Sequence, residues 1–487
     1  MVKPPGALTA IVFFACIFSL ANAQQKISPA IIDALQKQAA TDLQTRYDEY
    51  KKTALQIWDY AEVGYKEIKS SALHQQTLRD NGFIVEAAVA GIPTAFVATY
   101  GNGKPVIGIL AEFDALPGMS QEAVPERKAI EGKSAGHACG HHLFGTASVA
   151  AGIEIKKLME QKKITGTIKV YGCPAEEGGS GKVYMVRAGL FNGVDVVIHW
   201  HPGAENSVTM TSALANKSAK FRFHGLAAHA AAAPDKGRSA LDGVESLDYM
   251  VNMMREHVPQ ETRIHYVITN GGKAPNVVPD FAEVYYYVRH PKREEVVSIF
   301  DRVVKAAEGA AMGTGTTVDY EIIGGTHDLL LNNTLAEVMQ KNLEKTGGVQ
   351  YTSEETAFAK KIQASFTYKI PAIETALLVK PMEKKEGNDG STDVGDVSYA
   401  VPTVGMSAAT WVAGTPAHSW QAVACGGTDI GIKGMMVAAK TMTLTAIDLY
   451  TNPALIEKAK AEFIKAKGDY QYKALLGDRK PALNYRD

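Results

Sequence analysis

The stretch Gly136-His137-Ala138-Cys139-Gly140-His141-His142 places three histidines and one of only four cysteines within seven residues. Thiolate and imidazole are the donors a borderline-soft divalent metal selects. Further donors follow: an acidic pair in Cys173-Pro174-Ala175-Glu176-Glu177-Gly178-Gly179-Ser180-Gly181, two imidazoles in His199-Trp200-His201-Pro202, and another in Pro416-Ala417-His418-Ser419-Trp420. A lone Cys-x-His pair would read as a thiol beside a solvated histidine. Here no second cysteine is at hand to close a structural zinc site, and carboxylate and imidazole candidates recur at strand-like intervals. The pattern points to a metal site assembled from several strand ends.

Adjacent glutamates are ordinarily a solvated turn. Glu176 and Glu177 instead leave an apolar run through a proline and enter Gly178, Gly179 and Gly181, which lets the backbone approach a ligand closely. One carboxylate can bind metal while its neighbour takes a proton from the attacking water, the division of labour that metal-assisted hydrolysis requires. His199 and His201 share one face of an extended chain, because the side-chain period is two, and only one need be a ligand. His229, within Ala227-Ala228-His229-Ala230-Ala231-Ala232-Ala233-Pro234, sits among small residues and reads either as a site of close approach or as a structural histidine. Asn276 in Pro275-Asn276-Val277-Val278-Pro279 reads as a turn residue. Arg289, closing Tyr285-Tyr286-Tyr287-Val288-Arg289, reads as a surface residue or as a planar fork for a substrate carboxylate.

The elements that must position these groups follow from periodicity. Residues 28–56 repeat apolar positions at helical spacing, which predicts one long amphipathic helix. Segments 82–85, 94–99 and 105–110, each bounded by Gly or Pro, predict strands. The last runs into Ala111-Glu112-Phe113-Asp114-Ala115-Leu116-Pro117-Gly118, so Asp114 lies just past a strand end, where ligands gather in open α/β sheets. A helix over 147–158, a strand over 167–171 feeding the glutamate pair and a strand over 194–198 feeding His199 complete an alternation that implies a mostly parallel sheet with helices on its faces.

From about Thr211 the order becomes strand 220–224, helix 239–257, strands 263–269 and 281–289, helix 294–311 and strand 317–323, the ferredoxin-like β-α-β-β-α-β plan. The fold expected is therefore α/β, with a discontinuous catalytic domain over 24–212 and 327–487 and an inserted α+β domain over 213–326. A Gly-rich loop over 387–395, a final apolar helix near 428–450 and a Lys-, Ala- and Asp-rich surface helix beyond it close the chain.

At 487 residues the length suits two domains. With 51 basic and 52 acidic residues the formal net charge is -1, and no run of like charge offers a footprint for nucleic acid or a membrane surface, so the expected partner is a small molecule. Residues 1–23 combine Lys3, the apolar run from Ala10 to Leu20 and Ala21-Asn22-Ala23, which reads as a secretory signal cut after Ala23, with a periplasmic or secreted product and no membrane span thereafter. Cys139, Cys173 and Cys425 then remain, an odd number that argues against a disulfide framework in an exported protein. A metal gives Cys139 its reason; Cys173 and Cys425 read as small buried residues.

Taken together, the Ala111–Gly118, Gly136–His141, Pro174–Gly179 and His199–Pro202 motifs, the Ala227–Pro234 loop, Asn276 with Arg289, and His418 resemble the di-metal amidohydrolases and peptidases of the aminoacylase and glutamate-carboxypeptidase superfamily. The Ala111-Glu112-Phe113-Asp114-Ala115-Leu116-Pro117 and Cys-Gly-His forms and Gly390-Ser391-Thr392-Asp393-Val394-Gly395-Asp396-Val397-Ser398 are most similar to its aminobenzoyl-glutamate branch. The resemblance implies two divalent ions in each protomer, zinc or manganese, with Cys139, His141, Glu177, His199 and His418 as ligands and Cys139 bridging. It implies Glu176 as general base and Asp114 as a supporting group. The inserted domain would form a lid and a homodimer, with His229 reaching the partner's site and Asn276 and Arg289 addressing the substrate.

The activity implied is hydrolysis of an N-acyl amino acid, foremost p-aminobenzoyl-glutamate. A dipeptidase or other N-acyl-amino-acid hydrolase is the alternative within the enzyme class, and an inactive metal-dependent binding protein the alternative outside it. Glu176 argues against the last, because a binding site needs no spare base. Two features depart from the resemblance: His142 stands where members of that family usually carry Asp or Asn, and the leader-like segment is not expected of its cytoplasmic bacterial members.

Overall fold

The structure is a computed structural model that describes residue 1 and residues 28–383 and 390–486. Apart from Met1 the expected leader lies outside the described residues, as do positions 387–389 of the Gly-rich loop. The larger sheet has seven strands: β1 (Ile84–Ala87), β2 (Phe96–Gly101), β3 (Val106–Glu112), β6 (Thr167–Cys173), β7 (Val196–Gly203), β8 (Ser207–Val208) and β13 (Thr403–Ala409). A two-residue pair, β4 (Leu116–Pro117) and β5 (Ala135–Gly136), stands apart from it. The strand order is β1-β2-β6-β3-β7-β13-β8. The four central strands β6, β3, β7 and β13 run parallel, and the outer pairings are antiparallel.

Being covered on both faces, the central strands are apolar without alternation, as in Ile107-Gly108-Ile109-Leu110-Ala111. The helix His141–Glu160 crosses from β3 toward β6, and the helix Asp429–Thr451 packs against it. The latter is long and apolar enough to cross a membrane, but 89% of its most apolar window is buried in protein, so it serves as a core helix. The carboxyl ends of β6, β3 and β7 are neighbours; β6 and β3 lead directly into the glutamate-pair and Asp114 motifs, and β7 carries His199 and His201 toward its carboxyl end. That convergence is the α/β switch-point geometry in which ligand sites form.

The second sheet is antiparallel: β9 (Ala215–His224), β10 (Arg263–Asn270), β11 (Phe281–His290) and β12 (Thr317–Thr326), in the order β10-β11-β9-β12. The helices Ala240–Met254 and Arg293–Thr314 cover one face. Strand β11 alternates strictly between buried and half-buried positions, with Ala282, Val284, Tyr286 and Val288 turned to the helices. These side chains, with Phe221, Phe223, Val244 and Phe300, form a core separate from that of the larger sheet.

Three local expectations are corrected. The first helical stretch is two helices, Pro29–Thr45 and Tyr47–Tyr60, broken at Arg46. A one-residue interruption barely disturbs the apolar spacing, so periodicity alone does not register it. Strand β7 extends to Gly203, held by parallel pairing with β13 through Ala409, so the histidines lie inside the strand and not beyond it. After the helix Pro453–Lys467 the chain becomes an irregular strap over 469–486, with Ala474 and Leu476 buried.

Candidate metal centre

Cys139 precedes the helix His141–Glu160, separated from it by Gly140 in the left-handed region at φ 77°. A Cβ at Gly140 would stand 2.7 Å from Cβ of Pro202, so the glycine lets the end of β7 press against the cysteine loop. Two groups of donor atoms share the Cys139 sulfur, each with all its atoms within 4.8 Å of one another: Cys139 with His141 and His201, and Cys139 with Glu177 and His418. Glu112, His141 and Glu176 form a third, overlapping group.

The separations inside these groups are short: 3.4 Å from Cys139 Sγ to His201 Nε2, 3.0 Å from His418 Nε2 to Glu177 Oε1, and 3.1 Å from His141 Nε2 to Glu112 Oε2. Yet His141 Nε2, Glu112 Oε2 and Glu177 Oε1 are buried without a hydrogen bond of proper geometry among the described residues. Buried polar atoms left in that state call for an explanation. Atoms converging on common points, with a soft thiolate between imidazole and carboxylate donors, fit a pair of divalent ions.

The imidazole tautomers suit this role. His141 Nδ1 lies 2.8 Å from Asp114 Oδ1; a carboxylate only accepts, so Nδ1 carries the proton and Nε2 presents its lone pair to the centre. His201 likewise donates from Nδ1 to the Pro202 carbonyl at 2.7 Å, leaving Nε2 toward Cys139. The other oxygen of Asp114 accepts from the Glu177 N–H at 2.9 Å, so one carboxylate orients two of the donors.

The glutamate pair rides on a strained turn. Ala175 and Ser180 flank it in the left-handed region, at φ 55° and φ 59°, and His418 shares that conformation at φ 59°. Non-glycine residues hold it at a cost of about 1–3 kcal/mol each, and such strain gathers at functional sites. The surroundings enforce it. Glu67 Oε1 accepts from Ala175 N at 2.8 Å, and the Tyr65 hydroxyl donates to the Gly179 carbonyl at 2.6 Å. From the strap, the Tyr485 hydroxyl and Arg486 Nη2 both donate to the Glu177 carbonyl, at 3.0 and 2.5 Å. His418 N donates to the Ala138 carbonyl at 2.9 Å, tying the downstream histidine to the cysteine loop.

Charge is concentrated here. Lys182, fully buried, bridges Glu112 at 2.6 Å and Asp393 at 2.7 Å. Burial acts against its charge, but Asp393 and Glu112 overcome that and hold the ammonium well above the ordinary lysine range. Burial, followed by the charges of Glu112 and Glu177, raises the Glu176 carboxyl well above its usual value. Burial also acts to raise Glu177, yet the close approach of His418 and the charge of His141 leave it lowered. Neighbouring carboxylates thus have opposite tendencies, Glu176 to keep a proton and Glu177 to stay ionised, which is how acid–base and ligand roles are separated. Burial opposes charge on His141, but Cys139, Asp114 and Glu112 raise it well above its usual value. The same negative groups attract a cation. Burial pushes the Cys139 thiol up, so its thiolate needs positive charge alongside.

Of the residues singled out in the sequence, Cys139, His141, Glu176, Glu177 and His418 are brought together, with Asp114 behind them. His199 is not. It sits two residues upstream of His201, about 7 Å farther from the strand end, with its ring against Gly405 of β13, where a Cβ would fall 2.2 Å from Nε2. His201 takes the place the resemblance gave to His199. His142 is also excluded from the donor groups: it is buried, 3.0 Å from the Gly426 carbonyl through Nε2, with its ring 4.8 Å from that of His137. Glu112, Lys182, Asp393, Tyr485 and Arg486 are not among the site residues the sequence singles out; Glu112 beside Asp114 and Asp393 within the 390–398 motif carry a local signal, and the other three carry none.

His229 and Asn276 occupy adjoining exposed loops, with Ala230 N donating to the Asn276 carbonyl at 3.0 Å. His229 Nδ1 accepts from Ala231 N and Ala232 N, which leaves an outward Nε2–H. These loops lie at the end of the four-stranded sheet where Phe281 pairs with His224, whereas Arg289 pairs with Asn216 at the opposite end, where the chain enters and leaves this domain. Eight residues of strand, about 26 Å, separate the two ends, so His229 and Arg289 do not meet within one chain.

A family model for the peptidase dimerisation domain matches residues 215–314. The chain is 42% identical over 439 residues to one of the p-aminobenzoyl-glutamate hydrolase subunits of Escherichia coli, covering 85% of this chain and 91% of that protein. It is 29% identical over 453 residues to the Xaa-Arg dipeptidase of Mus musculus, covering 90% and 94%. Among solved structures, the fold is similar to the YXEP protein of Bacillus subtilis, a dinuclear metal binding peptidase from the M20 family, with a TM-score of 0.56 and 16% identity over 84% of this chain and 99% of that one.

Proposed function

We propose, for a chain that belongs to the M20 peptidase family, hydrolysis of the amide joining an acyl group to an amino acid, with p-aminobenzoyl-glutamate the substrate and p-aminobenzoate and glutamate the products. The observation that carries this reading is the pair of donor groups sharing Cys139, with the Glu176 carboxyl in the overlapping third group beside them. Cys139, His141 and His201 would hold one divalent ion and Cys139, Glu177 and His418 the other, zinc or manganese by their donor chemistry. Two such ions supply Lewis acidity toward water and the scissile carbonyl.

The chain's own groups do the rest. Glu176 takes a proton from the attacking water as the new C–O bond forms, then passes it to the leaving nitrogen as the C–N bond breaks. Asp114 keeps His141 and the Glu177 amide in register. His229 Nε2–H, delivered by the lid of a second copy, donates to the acyl oxygen where negative charge develops. Asn276 adjoins it there, and Arg289 forks the substrate carboxylate. The leader-like residues 1–23 support export, so the reaction takes place in the periplasm or outside the cell; fractionation of expressing cells, with a mature start at Gln24, tests that assignment.

A substrate panel on the purified protein tests the chemistry. Release of aminobenzoate from p-aminobenzoyl-glutamate, lost on chelation and restored by a divalent ion, is the expected result. Glu176→Gln is expected to keep the metal and lose turnover, and full activity in that variant would overturn the mechanism. The relatedness to Xaa-Arg dipeptidases supports a second reading in which a dipeptide is the substrate; cleavage of dipeptides with silence on aminobenzoyl-glutamate would select it.

A further inference from the structure

The 469–486 strap crosses from the lid to the catalytic turn. Arg479 donates to the Ile323 carbonyl at 2.5 Å on β12, and Leu475 lies over Gly325, where a Cβ would fall 2.9 Å from its own. Arg187, on the helix that follows the turn, donates to the Gly477 carbonyl at 2.6 Å. The strap then delivers Tyr485 edge-on to Tyr65, with ring centroids 5.5 Å apart. Its hydroxyl fills a slot that exists because residue 64 is glycine: a Cβ there would fall 2.1 Å from it. The Arg486 guanidinium stacks on the Tyr485 ring at 4.7 Å.

We infer that Tyr485 and Arg486 are positioning residues for the reaction, holding the Glu176–Glu177 turn in its working conformation from more than 300 positions downstream. Both donate to one acceptor, the carbonyl of Glu177, whose N–H is already committed to Asp114. With N–H and C=O both held, the backbone of that residue cannot relax toward the unstrained conformations that Ala175 and Ser180 on either side would otherwise favour. A charged donor makes the stronger hydrogen bond, so Arg486 contributes more than a neutral residue would. The inference rests on Glu176 and Glu177 being the base and a ligand.

The test compares the full chain with Tyr485→Phe, Arg486→Ala and a chain stopped after Pro481, by hydrogen exchange and by steady-state kinetics. Exchange of the 175–181 amides is expected to rise about 10-fold or more while β3 and β7 keep their protection. In parallel kcat is expected to fall about 10- to 100-fold with KM within about twofold, since small misplacements of catalytic groups have effects of that size. Millimolar guanidinium is expected to restore kcat to Arg486→Ala and to leave the parent unchanged, a readout that a merely stabilising tail would not give. Unchanged exchange in the turn, or a loosened turn with unaltered kcat, would overturn the inference. Should the shortened chain fail to fold, the point variants decide alone. Turnover surviving in Glu176→Gln would instead overturn the reaction assignment, so the two failures are distinguishable.

Discussion

Asp114 Oδ1 and His141 Nδ1 stand 2.8 Å apart, both fully buried, and the second oxygen of the same carboxylate takes the Glu177 N–H. One residue thereby sets the tautomer of an imidazole donor and the backbone position of a carboxylate donor in the neighbouring group. Replacing it with Asn, whose amide can present either end, removes the charge and makes the tautomer ambiguous. Asp114→Asn is expected to weaken metal affinity or activity about 10- to 100-fold. Titration of the metal-stripped protein with zinc or manganese, alongside kinetics, measures both; a variant unchanged in each would remove Asp114 from the site.

The two histidines of β7 give a sharper contrast, because they are identical in type and differ only in depth along the strand. His201→Ala is expected to lower the bound metal by one ion per chain. His199→Leu is expected to keep the full complement and to alter stability alone, since His199 lies against Gly405 with its Nε2 unpartnered among the described residues. The metal-to-protein ratio of the two variants settles which imidazole belongs to the centre, and the reverse pattern would return His199 to the role that the sequence suggested.

That exchange shows where local reading stops. Period two puts His199 and His201 on one face, but where the strand ends is fixed by pairing with residues 403–409, some two hundred positions downstream. The elements of the second sheet and its helices were legible because each has one fully buried face and one face nearer solvent, so their periodicities are clean. Cys139, His141, Glu177 and His418 stood out as residue types that are rarely gathered without a cation. Lys182 looks like any helical lysine in sequence; only the fold shows it sealed between Glu112 and Asp393. Tyr485 and Arg486 carry no local mark at all, because what they hold is 308 and 309 residues away.

Acid should expose a different buried histidine. His74 is fully buried with neither ring nitrogen hydrogen-bonded among the described residues, and burial lowers its pKa from 6.5 to about 3. The folded state therefore keeps it neutral while the unfolded chain protonates below pH 6.5, so its contribution is complete above that value and is lost progressively as pH falls toward 3. At pH 5 the loss amounts to about 2 kcal/mol. His74→Leu is expected to flatten the stability profile between those limits by one proton, measured by urea unfolding at a series of pH values. An acid limb of unchanged slope would show that His74 does not titrate on unfolding.

The lid geometry makes the last prediction. His229 stands at the end of the four-stranded sheet remote from Arg289, about 26 Å away along β11, and its Nδ1 is engaged within its own loop. If its Nε2–H acts on substrate held by a second copy, then Glu176→Gln and His229→Ala chains are each inactive alone but complementary together. In a mixed dimer the His229→Ala chain retains Glu176 and receives His229 from its partner, giving one complete site of two. Random mixing of equal amounts makes half of the dimers mixed, so activity should return to about a quarter of the parent level. Co-expression with two affinity tags, followed by assay of the doubly tagged fraction at about half the parent rate, reads this directly. An inactive mixed dimer would show that His229 does not complete the site of a second copy.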